Sequence, residues 1–231
     1  MGTKAVIFDL GNTLVHYTEN INWSNLYTPA TRQVLAACGA GFCAQKDAAA
    51  QKTLTKYNTR VHPRDYEVSS NVIFGEILEG WGESAEKVYV AKQSFYNFFQ
   101  RETYLYEDTE AVLQTLKARG IKIGVLTDVP YGMDNEFVQK DLAPIANYID
   151  LCLTSNDVGL RKPSPKGFLT LQNAFGVVRG NEIIVVGDEE KDIVGANVSG
   201  FISVLIDRKD LGKNWGQAHT IKNLKEILED I

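Results

Sequence analysis

The sequence predicts an α/β fold, a parallel sheet with helices on both faces, interrupted early by a helical insertion. Five short apolar runs, at 4–9, 122–127, 149–154, 182–187 and 201–206, read as strands. Segments with helical periodicity separate the last four, which is the alternation a doubly covered parallel sheet requires. Between the first two runs the chain is helix-rich and aromatic-rich, with no convincing strand from Val15 to Tyr106.

The first run, Lys4-Ala5-Val6-Ile7-Phe8-Asp9, is a buried strand closing on a lone carboxylate. In open α/β sheets the C-terminal strand edge is where ligands and chemistry sit, so Asp9 is the first candidate site residue. Four helices are expected in the insertion, at about 22–38, 46–58, 69–80 and 86–101, with Gly39-Ala40-Gly41 and Trp81-Gly82 as breaks. At 109–120, Ala111, Val112 and Leu116 with Leu113 form an apolar face, Lys117 and Arg119 complement the helix C-terminus, and Gly120 stops it. The run at 183–187 again closes on acids, Asp188-Glu189-Glu190-Lys191-Asp192. At the C-terminus, Ile221, Leu224, Ile227, Leu228 and Ile231 have the spacing of an amphipathic closing helix.

With 231 residues, the chain suits one large domain or a core with an inserted smaller one. Its net charge of -5 and pI near 5.3 give no reason to expect nucleic acid or an anionic membrane as partner. No apolar run is long enough to span a bilayer, and the opening Met1-Gly2-Thr3-Lys4 leads straight into a strand, so no leader is expected. Cys38, Cys43 and Cys152 lack metal-ligand spacing and read as buried or incidental thiols, which suits a reducing, cytoplasmic location.

The stretch Phe8-Asp9-Leu10-Gly11-Asn12-Thr13-Leu14 resembles the first motif of the haloacid dehalogenase-like superfamily, usually D-x-D-x-T/V, whose first Asp is a nucleophile. Gly187-Asp188-Glu189-Glu190-Lys191-Asp192 resembles the fourth, G-D-x-x-x-D. Val125-Leu126-Thr127-Asp128 resembles the second motif, and Gly159-Leu160-Arg161-Lys162-Pro163 the third. The resemblance covers essentially the whole chain. It implies a Rossmann-like three-layer core at 1–14 and 107–231, with a C1-type all-helical cap at 15–106.

By the family pattern, Mg²⁺ would be held by Asp9, the backbone carbonyl of Gly11 and Asp188, with Asp192 in support. Hard oxygen ligands and crowded carboxylates suit that ion. The resemblance makes Asp9, Thr127 and Lys162 catalytic, with Thr127, Asp128, Lys162 and Asn12 as substrate-binding candidates. A charge at Lys162 acts on the transferring phosphoryl group, so its loss is expected to lower turnover more than stability. The departure is Gly11, where the family's phosphatases carry a second Asp as general acid/base. Losing such a group typically forfeits about 10²–10⁴-fold, least where the leaving group departs unaided. Asp128, Glu189, His16, a cap residue or water are the candidate substitutes.

Each motif has a plainer reading alone: an Asp at a strand end is commonly a cap or turn residue, and a single Thr or Lys says little. Four motifs in family order, each after an apolar run, weigh against that. His16 reads first as a loop histidine; His62 and His219 have no ligand-spaced partner. The aromatics Tyr89, Phe95, Tyr96, Phe98 and Phe99 read as helix packing, and Lys46, Lys52 and Lys56 as a solvated face. The expected function is a Mg²⁺-dependent phosphatase of a small phosphorylated metabolite. The alternatives are a metal-independent haloacid dehalogenase and a non-catalytic phosphate-binding relative.

Overall fold

The computed structural model describes residues 2–17, 22–100 and 103–229. It contains a six-stranded, all-parallel sheet in the order β5-β4-β1-β6-β7-β8. The strands are β1 (Ala5–Phe8), β4 (Lys122–Thr127), β5 (Leu151–Thr154), β6 (Ile183–Gly187), β7 (Ile202–Ile206) and β8 (His219–Ile221). The five expected strands are present, and β1 lies between β4 and β6. Helices α5 (Thr109–Ala118), α6 (Asn135–Leu142), α7 (Ser155–Val158), α8 (Pro165–Phe175) and α9 (Glu190–Val198) connect them.

Period-two alternation sorts β1 onto the two faces. Val6 and Phe8 join one apolar cluster with Val112, Leu116, Ile184 and Val186, while Ala5 and Ile7 join another with Phe168, Leu171 and Val185. Local signals set the helix ends. Pro165 opens α8 behind a Ser164 cap, and Gly176, in left-handed conformation, closes it.

Four helices fill the insertion: α1 (Tyr27–Ala37), α2 (Ala44–Tyr57), α3 (Ser70–Gly80) and α4 (Val88–Gln100). Phe74, Phe95, Tyr96, Phe98 and Phe99 are buried there, as helix packing requires, whereas Tyr89, expected to pack with them, is exposed. The expectation of no strand is met within 22–100 and corrected at the ends. There β2 (Val15–Tyr17) and β3 (Thr103–Leu105) pair antiparallel. Three residues are too few for a periodic pattern to register.

The C-terminal expectation is also corrected. Ile221 ends β8 rather than starting a helix, and only a short 3₁₀ segment, Leu224–Glu229, follows. Leu224 and Ile227 are nevertheless buried, so their spacing marked a buried face without specifying an α-helix. The expected helix end at Arg101 and the last apolar position, Ile231, lie outside the described residues. Among the described residues no helix is long and apolar enough to cross a membrane. Of the thiols, Cys38 is buried, Cys152 half-buried and Cys43 exposed, all of them free.

Candidate active site

The three candidate acids meet at the C-terminal edge of the sheet. Asp9 follows β1 and Asp188 follows β6, and the register Phe8↔Val186 sets these strand ends abreast. Asp192 arrives from the first turn of α9. Carboxylate oxygens of Asp9, Asp188 and Asp192 lie within 4.8 Å of one another. Gly187 allows this approach, since a Cβ there would lie 2.4 Å from the Asp192 Cβ. Asp192 also accepts a hydrogen bond from the Glu189 N–H at 3.1 Å, closing a capping box that orients its carboxylate.

Lys162 sits inside the cluster, fully packed. Its Nζ lies 2.5 Å from Asp9 Oδ1 and 2.6 Å from Asp192 Oδ1, and it donates to the Leu126 carbonyl at 3.0 Å. Burial disfavours its ammonium, but Asp192, Asp9 and Asp128 outweigh that and hold its pKa above the usual value. One ammonium cannot balance three carboxylates. Burial with the charge of Asp192 outweighs Lys162 and pushes Asp9 above the usual carboxylate range, and burial with the charges of Asp9 and Asp192 pushes Asp188 up as well. Such a cluster has the donor chemistry a hard divalent cation takes.

Thr127, at the end of β4, is buried and stands in register with Thr154 at this same edge. Asp128 is turned inward. It accepts from the Lys162 N–H at 3.0 Å, and Lys191 Nζ and an Arg161 Nη lie 3.2 and 3.9 Å from it. Burial opposes its charge, yet Lys162, Lys191 and Arg161 hold its carboxyl below the usual range. Asp128 thus braces the loop that carries Lys162. Glu189 is likewise committed, to Lys191 at 2.9 Å and to Arg60 from the insertion, and these cations outweigh burial to bring it down to about 2.

The first-motif loop is a tight reversal. Asn12 is exposed with φ 58°, a left-handed conformation Asn tolerates, and its N–H donates to the Val15 carbonyl at 2.6 Å. Gly11 lies outside that region, so its backbone does not demand glycine. The reversal sends β2 back over it, and a Cβ at Gly11 would meet Tyr17 Cε2 at 3.3 Å and the Tyr17 hydroxyl at 3.7 Å. His16, on the opposite side of β2, stacks on Tyr104 and packs on Tyr106, away from Gly11. Sequence reasoning missed Tyr17, Lys191 and Arg60, because only the turn and the tertiary approach bring them here.

Residues 3–200 match the family model described as haloacid dehalogenase-like hydrolase. The chain is 32% identical over 137 residues to a phosphoserine phosphatase of Thermus thermophilus, 59% of this chain and 53% of that one. It is 27% identical over 211 residues to a glyceraldehyde 3-phosphate phosphatase of Methanopyrus kandleri, 89% of this chain and 84% of that one. A ribulose-1,5-bisphosphate 5-phosphatase of Halopiger xanaduensis matches at 31% over 115 residues, 49% and 47%. The Thermus and Halopiger matches thus span about half the length of those relatives. Among solved structures, a 2-haloacid dehalogenase of Pseudomonas syringae aligns with a TM-score of 0.67 at 22% identity, covering 98% and 97% of the two chains. A HAD-hydrolase of Bacillus subtilis bound to magnesium aligns at 0.63 and 16%, covering 99% and 98%. At those identities the likeness concerns the fold alone.

Proposed function

The chain belongs to the haloacid dehalogenase-like hydrolases, and from that premise we propose that it is a Mg²⁺-dependent phosphatase of small phosphorylated metabolites, acting through a covalent phosphoryl intermediate on Asp9. The observation that carries this reading is the trio Asp9, Asp188 and Asp192 gathered around one buried ammonium, Lys162. Asp9, Asp188 and the Gly11 carbonyl would hold Mg²⁺, with Asp192 behind them. When bound, the ion supplies positive charge against the phosphoryl oxygens.

The chain's own residues do the rest. Asp9 attacks phosphorus and carries the group until water releases it, which divides one hard step into two. Lys162 holds Asp9 in place and offsets charge on the phosphoryl oxygens, and Thr127 donates its hydroxyl to one of them. Asn12, exposed at the turn, and Asp128, bracing the Lys162 loop, would shape the substrate side of the crevice. Residues 15–106 act as a cap over a core of 1–14 and 107–231, and restrict the site to small substrates. The named activities of similar chains support the substrate class, and thiol usage supports a cytoplasmic location.

The dehalogenase reading needs no cation, and a site without one gains nothing from crowding Asp188 against two other acids. The deciding experiment measures p-nitrophenyl phosphate hydrolysis with Mg²⁺ and with chelator, beside a haloacid control. Hydrolysis that chelation abolishes is the expected result. Metal-independent halide release would overturn the proposal.

A further inference from the structure

We propose that the Tyr17 hydroxyl donates a hydrogen bond to the departing oxygen, from the place that a side chain at position 11 would otherwise fill. This assignment rests on the phosphatase reading and deepens it. Its starting point is steric: with the Tyr17 ring 3.3 Å and its hydroxyl 3.7 Å from a Cβ built on Gly11, ring and side chain compete for one space. Gly11 lies two residues along the loop from Asp9, and Tyr17 is close enough for the charges of Asp141 and Asp9 both to act on it.

The fold holds the ring there by design of the turn. Asn12 reverses the chain, Val15 N–H closes on the Leu10 carbonyl at 3.0 Å, and Tyr17 pairs with Thr103 in the β2–β3 ribbon. Strand alternation then turns Tyr17 and His16 to opposite sides. The three residues named from the sequence are occupied elsewhere: Asp128 and Glu189 face lysine and arginine, and His16 lies among tyrosines.

In the step proposed, an Asp9 oxygen forms a bond to phosphorus and the phosphorus–alkoxy bond breaks, its electron pair going to the alkoxy oxygen. Tyr17 stabilises that oxygen by hydrogen bonding and keeps its own proton; the alkoxide is protonated by water. A second water then attacks phosphorus, giving its proton to the hydroxide left by the first, and the acyl-phosphate P–O pair returns to Asp9. The sum is phosphate monoester plus water giving alcohol plus inorganic phosphate. A donor of this kind matters most where the departing oxygen is most basic, and removing one such donor costs about 10²–10³-fold.

The test is a leaving-group series, β-glycerophosphate against p-nitrophenyl phosphate, on wild type and Tyr17→Phe. The phenyl ring keeps the packing over Gly11, which the melting midpoint checks. The ratio of alkyl to aryl turnover should fall at least tenfold in Tyr17→Phe. Equal losses on both substrates, or no loss on either, would overturn the assignment while leaving the phosphatase reading standing. A wild type inactive on both phosphates removes that reading, and this one with it. The exchange of places gives a second measurement: Tyr17→Ala with Gly11→Asp should regain alkyl turnover over Tyr17→Ala alone, because a carboxylate then occupies the vacated space. No regain counts against a shared position.

Discussion

Asp188 faces Asp9 and Asp192 with no cation among the described residues in ion-pair contact with it, and that imbalance makes metal-free stability depend on pH. Burial and neighbouring carboxylates hold both Asp9 and Asp188 in the folded chain above the roughly 4 of an unperturbed carboxyl. Above that unperturbed value, and until both acids have ionised, the folded state binds more protons than the unfolded one, so stability falls as pH rises. The metal-free melting midpoint should therefore drop by several degrees from pH 5 to pH 8. Asp188→Asn, with no such proton to lose, should flatten that slope and abolish the upward shift expected of wild type on adding Mg²⁺. A midpoint that rises over this window would contradict the crowding argument. Asp9→Asn should abolish turnover while the protein still folds, since the amide is nearly isosteric and a poor nucleophile; retained, metal-dependent turnover would exclude the covalent route. Lys162 carries more than its sequence suggests. Wedged between two carboxylates, it is structural beside its proposed catalytic role, and Lys162→Met should cost about 3–5 kcal/mol without metal as well as turnover, because it leaves buried acids uncompensated. Denaturant unfolding beside activity separates the two effects.

At the scale of elements, the site depends on how closely α9 can approach the end of β6. Gly187→Ala would set a Cβ 2.4 Å from that of Asp192, so strand and helix must separate. Overpacking of this kind costs typically about 1–3 kcal/mol. It should also weaken Mg²⁺ binding, because Asp192 moves together with its hydrogen bond to the Glu189 N–H. Calorimetric titration of Mg²⁺ into the variant checks this, and unchanged affinity would mean that Asp192 does not help to set the site. β1 and β6 were legible because each is a continuous apolar run buried on both faces, and Asp9 and Asp188 were legible as the first polar residues after those runs. β8 was not, since His219-Thr220-Ile221 is a three-residue edge strand with one buried side chain. Nor were β2 and β3, whose pairing depends on a reversal at Asn12 rather than on any pattern of their own. Tyr17 was unreadable for the same reason: its partner is a space beside Gly11 that exists only once the loop has folded.

Across the whole molecule, the insertion is fastened to the core as well as linked to it. Glu67, on the segment between α2 and α3, has a buried side chain that pairs with Arg161 one residue before Lys162; it also accepts from the Ser155 hydroxyl at 2.6 Å. Backbone bonds flank the pair: the Glu67 N–H reaches the Gly159 carbonyl at 3.1 Å, and the Arg161 N–H reaches that of Asp65 at 2.8 Å. Farther along, the Tyr96 hydroxyl donates to the Tyr131 carbonyl at 2.8 Å, and Lys92 pairs with Asp134 at 2.6 Å. Opening of the proposed cap must therefore break ion pairs as well as bend the β2–β3 ribbon, and Glu67 is the costliest of them because its partner Arg161 is itself buried. Glu67→Gln keeps the shape and the hydroxyl contact but removes the charge, leaving a guanidinium whose next carboxylate, Asp128, is 3.9 Å away. The loss should be about 3 kcal/mol, the low end for breaking a buried pair, since Asp128 offsets part of it. Hydrogen exchange should then speed up at residues 60–68 and at 155–161 together, ahead of the central strands. KM for a small phosphate ester should rise more than kcat falls, because the segment proposed to close over the crevice is released while Asp9 and Lys162 keep their contacts. If exchange at 155–161 stays at the wild-type rate while only 60–68 loosens, the pair fastens the insertion without bracing the Lys162 loop, and the site does not sense the cap through Arg161.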